Sequence, residues 1–168
     1  MKQERTIRLA ALILNWVDDK NASGRMHIDA DHSTRSQIRF RTDELDGIFP
    51  DAPEAASGWG TRNHYFYEIV NEQGKRIRMQ LALSGHNLPD DLRELFDWIH
   101  ERHPSRNRKD QWRWRYPFIS TEFSVPKDMP DKEVVEILEK EYDELLQFQE
   151  ELVREVKAHQ EEKRAGEA

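Results

Sequence analysis

Val135, Leu138, Tyr142, Leu145, Gln149, Leu152 and Val156 follow one another at alternating steps of three and four residues towards the end of the sequence. This is the seven-residue repeat that keeps one seam of a helix apolar, here over about three heptads, as in a coiled coil. The chain must therefore cover a long helix with something. The segment begins after Asp128-Met-Pro130, with acidic residues in the first turn, where the helix dipole favours them, and reads as helical to around Arg164. At about 1.5 Å per residue it reaches roughly 50 Å, beyond the ~40 Å width of a compact domain of this length. Val134, Leu146, Phe148 and Val153 broaden the seam, which favours docking on the chain's own core over a narrow zipper. We expect one domain over residues 1–156 and a solvated, fraying helical tail over residues 157–168.

Charge is concentrated in the same place. Residues 130–168 hold 13 acidic and 6 basic side chains, and this difference equals the net charge of −7 for all 168 residues. The rest is neutral, so contact with nucleic acid would need a local basic patch. With no cysteine, disulfides, thiolate zinc sites and cysteine nucleophiles are excluded. The apolar stretch near the start is broken by Arg8 and Asn15 and followed by acids, unlike a signal peptide or a membrane span, so a cytoplasmic location is expected.

The remaining pattern mixes both periodicities. Ile7, Ala10, Ala11, Leu14 and Val17 give an amphipathic helix from Gln3 to about Asp19, ended by Asn21-Ala-Ser-Gly24. Met26, Ile28 and Ala30, then Ile38 and Phe40, alternate with polar residues as two strands. A long Gly- and Pro-containing stretch follows, with one helical turn around residues 44–48. Residues 65–70 and 77–83 flank Asn71-Glu-Gln-Gly74 as a second hairpin. Asn87 is positioned to cap a helix whose buried face is Leu88, Leu92, Leu95, Phe96 and Ile99, and which stops at His103-Pro104. Residues 112–125 read as a strand in which Pro117 marks an edge or a bulge. The fold class is α+β: an antiparallel or mixed sheet of about five strands flanked by helices, with a long C-terminal amphipathic helix.

Four groups of residues could carry chemistry. His27, Asp29 and Asp31 would share a strand face and could bind a divalent metal; the competing reading is a solvated face opposite Arg39 and Arg41. His100 and His103 could share a helix face, but no third ligand stands at a diagnostic spacing. Arg106, Arg108, Lys109, Arg113 and Arg115, interleaved with Trp112, Trp114 and Tyr116, could bind nucleic acid by neutralising phosphate and stacking on bases. The competing reading sends the three aromatics into the core and turns Arg113 and Arg115 outward towards the acidic last helix. Finally, Glu68 on a strand after Asp46 and Asp51 could hold Mg2+ for nucleolytic catalysis, although Val70 stands where the accompanying lysine belongs.

The hairpin HYFYEIVNEQGKRIRMQLALS, the NLPDDLRELFDWI helix, the WRWR run and the Leu-containing EYDELLQFQEEL segment together resemble a domain pattern in bacterial proteins of the PD-(D/E)XK nuclease superfamily. The resemblance implies a mixed sheet flanked by helices and a restriction or phage-defence context, with Glu68 as the transferable position. The leading expectation is a non-enzymatic interaction module without a cofactor. It would bind a protein partner or its own copy through the seam Val135, Leu138, Tyr142, Leu145, Leu152 and Val156, with nucleic acid as a second ligand. The alternative is a Mg2+-dependent nuclease.

Overall fold

The computed structural model describes residues 2–53, 56–105 and 112–167. Helix α1 (Lys2–Ala22) leads into β1 (His27–Ile28), β2 (Gln37–Arg41) and the short α2 (Asp43–Asp46). The central hairpin β3 (Tyr65–Glu72) and β4 (Arg76–Ser84) is followed by α3 (Asp90–Arg102), β5 (Trp114–Ile119), β6 (Phe123–Ser124) and α4 (Asp131–Glu167). The six strands form one antiparallel sheet in the order β1-β2-β3-β4-β5, with β6 on the end of β4 next to β5. No helix is long and apolar enough to cross a membrane among the described residues.

The register of β3 and β4 sets the faces of the sheet. Tyr65, Tyr67 and Ile69 pair with Leu83, Leu81 and Met79, and all join the core with Ile38 and Phe40 of β2. Helices α1, α3 and α4 cover this side. Asn71 closes the hairpin, accepting from the Gly74 N–H and donating to the carbonyls of Thr6 and Arg35. Gly74, at φ +73°, lies so close beneath α1 that a Cβ would stand 2.4 Å from the Arg5 carbonyl carbon.

Helix α4 meets α1 in parallel: Arg8 pairs with Asp131, while the Trp16 indole N–H donates to Glu139, which also pairs with Lys20. It meets α3 in antiparallel, through His103 and Glu155, Trp98 stacked on His159, and Glu94 paired with Lys163. The last residues, 161–167, are exposed and helical. The polar member of the seam, Gln149, is buried because its Oε1 accepts from the hydroxyls of Thr42 (2.7 Å) and Tyr67 (3.1 Å).

Three local expectations are corrected. Asn87 does not cap α3; it takes φ +52° and donates to the Ala56 carbonyl, and the helix starts after Pro89 with no side-chain cap. The strand expected around Met26 to Ala30 shrinks to two residues, because Asp29 instead organises a turn, accepting from the N–H and ring of His32. The third correction arises in β5. Leu83 pairs with Arg115 and Leu81 with Phe118, so Tyr116 and Pro117 together oppose Ala82, a bulge. Trp112, which precedes the strand, packs on Phe96 of α3, while Trp114 contacts Trp59 away from the helices. The three aromatics do not share a core face.

Candidate functional site

The sheet face away from the helices is a hydrogen-bonded polar field with an aromatic end. Glu68, 3% exposed, receives Arg39 Nε at 2.7 Å and Gln80 Nε2 at 2.8 Å. Arg39 extends the network to Gln37 and the His32 carbonyl, and Arg78 extends it from Gln80 to Glu122. Beside it, Trp59 packs against both Phe66 and Trp114. A polar trough of about 700 Å3 lies over Arg78, Gln80 and Tyr116 and reaches Glu122 and Glu144. Burial and the negative field of Glu68 raise the Tyr116 pKa. The trough wall carries one arginine against two glutamates, a balance that does not attract phosphate.

The residues of the nuclease reading are not brought together. The Asp46 carboxylate accepts from Tyr65 OH at 2.6 Å and pairs with Arg41 at 2.6 Å. Tyr65 and Glu68 are three residues apart on one strand, so their side chains leave opposite faces. Asp51 is exposed in the loop after α2. His27, Asp29 and Asp31 are also apart: His27 pairs with Asp43 at 2.7 Å, Asp29 binds His32, and Asp31 is exposed. Among the described residues, no three His, Asp or Glu side chains converge in a way that could hold a metal ion.

Arg106, Arg108 and Lys109 lie outside the described residues. Arg113 is exposed. Arg115 faces the helices, paired with Asp97 of α3 at 2.9 Å and held over the Trp112 ring. Arg102 caps the Trp98 ring and stands 4.0 Å from Glu155. Both arginines are thus matched by carboxylates, though not in the arrangement the alternating pattern suggested.

The seam is spent on the fold. Leu138, Leu145, Leu152 and Val156 are completely buried, Tyr142 is 2% exposed, and Val135 is half-buried, so a partner cannot reach the first five in the folded chain. The accessible apolar stripe is the neighbouring one. Glu139, Leu146, Val153 and Gln160 recur at seven-residue intervals and so share one helix face. Helix α1 covers the first of them through Trp16 and Lys20 and ends at Ala22. Beyond its end the stripe opens into a groove of about 720 Å3, with Leu146 and Val153 half-buried on its floor and Glu150, Arg154, Lys157 and Glu161 exposed along it. Glu44 of α2 forms part of the wall. Leu146 and Val153 pack against the core, as their place in the broadened seam suggests, but nothing in the spacing reveals that α1 ends just before Leu146 and leaves their outer side open.

The search of family models, of curated proteins and of solved structures found no match to the chain.

Proposed function

We propose that the chain is a non-catalytic interaction module that binds a protein helix in the groove beside the C-terminal half of α4. The supporting observation is the continuity of one stripe: α1 packs on its first part and leaves Leu146 and Val153 partly open in the same helical phase. A second helix laid there in line with α1 would complete the packing that α1 begins, burying an apolar face by the helix-in-groove mode. The groove spans residues 146–161, about four helical turns. The polar network around Glu68 fits a stabilising role, since each of its carboxylate oxygens already accepts a hydrogen bond.

The test places a photoreactive benzophenone side chain at Val153 and, as a control, at the exposed Arg93 on α3, in the native cell. Light-dependent adducts from position 153 and not from position 93 are expected. No adduct, or equal adducts from both positions, would overturn the reading.

A further inference from the structure

We infer that the helix received by this groove is α4 of a second copy of the chain, lying antiparallel about the point between Val153 and Arg154. This rests on the groove being an interaction surface and adds what fills it. Along the groove the charges run Glu150, Arg154, Lys157, Glu161, with Asp143 and Arg164 at either end in the same helical phase, and all six are exposed. None of them forms an ion pair with another described residue, although Glu150 and Arg154, and likewise Lys157 and Glu161, have the spacing for one. The nearby charged residues Glu155 and Lys163 are already committed to His103 and Glu94.

The order of these charges selects an orientation. Two parallel copies in register set Glu150 against Glu150 and Lys157 against Lys157. Antiparallel copies centred between positions 153 and 154 set Glu150 against Lys157 and Asp143 against Arg164, each twice by symmetry, and place each Val153 beside the stem of Arg154, and each Leu146 beside that of Glu161, of the other copy. Such an isologous arrangement is the commonest way for one surface to recognise itself. Residues 143–164 form a contact about 33 Å long. Because Leu146 and Val153 are, among the described residues, the only large apolar side chains on its floor, the dimer is weak and salt-sensitive.

Sedimentation equilibrium on the full chain reads this directly. A reversible monomer–dimer equilibrium is expected, with Kd rising about tenfold in Lys157→Glu, because two symmetry-related pairs turn repulsive. Glu150→Lys should weaken it similarly, and the double variant Glu150→Lys with Lys157→Glu should restore it. All four positions altered are exposed counting both copies, and far-UV circular dichroism verifies that the variants fold. A chain that stays monomeric up to its solubility limit overturns the second copy, as does a double variant no tighter than the singles. If position 153 then cross-links to a different protein, the groove still binds a helix and only its occupant was misassigned. If it cross-links to nothing, both ideas fall together.

Discussion

Glu141 is the residue whose chemistry the fold changes most. It is completely buried between Leu138 and Leu145, and neither carboxylate oxygen has a hydrogen-bond partner. Burial, reinforced by Glu144, pushes its pKa up to about 9. Between the unfolded value of 4.5 and this folded value, the folded chain holds a proton that the unfolded chain has released. The stability contributed by the neutral acid is therefore complete below pH 4.5, declines as pH rises and is gone above about 9. Glu141→Gln removes this slope. Its stability relative to the parent should improve from pH 5 to pH 8 by up to about 4 kcal/mol, as read from urea midpoints; parallel curves would show that the buried group ionises freely. Gly74 gives a second prediction at this scale. Its positive φ and the Arg5 backbone at 2.4 Å leave no room for a methyl group, so Gly74→Ala should cost about 2 to 3 kcal/mol in the same assay, more than the ~1 kcal/mol for backbone conformation alone.

Between elements, strands β2, β3 and β4 are joined by the bonds of Arg39 and Gln80 to Glu68. Removing one member of a buried charged pair leaves the other unmatched, so Glu68→Ala should destabilise the fold by about 3 kcal/mol. Arg39→Met together with Glu68→Leu should recover much of that loss, because the whole pair is replaced by apolar volume. Failure of the double variant to recover would mean that the network specifies the sheet register. The elements themselves were legible where local chemistry and global packing agreed. The β3–β4 hairpin is announced by alternation and by Gly74, and α4 by its seam. Pro117 announced the irregularity in β5 but not its consequence: one extra residue opposite Ala82 turns Phe118 onto the core face, while Trp114 and Tyr116, at the same parity, stay on the face away from the helices. Asn87 and Pro89 both favour the start of a helix, and spacing alone cannot say which lies outside it. The acidic and histidine candidates failed to assemble because parity along β3 and the Asp29 turn separate side chains that look close in the sequence. The groove was hidden for another reason, since it is defined by where α1 ends relative to α4, a distance no local pattern encodes.

For the whole molecule, the decisive variant ends at Val156, the last completely buried residue of α4. Residues 157–168 contain three basic and three acidic side chains, so their removal leaves the net charge at −7 and does not alter long-range repulsion between copies. What is lost is local: the stack of His159 on Trp98, the exposed pair of Lys163 with Glu94, and the half of the groove formed by Lys157, Ala158 and Glu161. The stack should be worth about 0.5 to 1.5 kcal/mol, and the truncated chain should melt cooperatively at a somewhat lower temperature. Its association should change far more than its stability. Without Lys157 and Arg164 neither symmetric charge pair can form, so the shortened chain should sediment as a monomer at concentrations where the full chain dimerises. A truncated chain that still dimerises, with its net charge unchanged, would place self-association on another surface; the exposed Ile7 and Leu14 on α1 would be the next pair to replace.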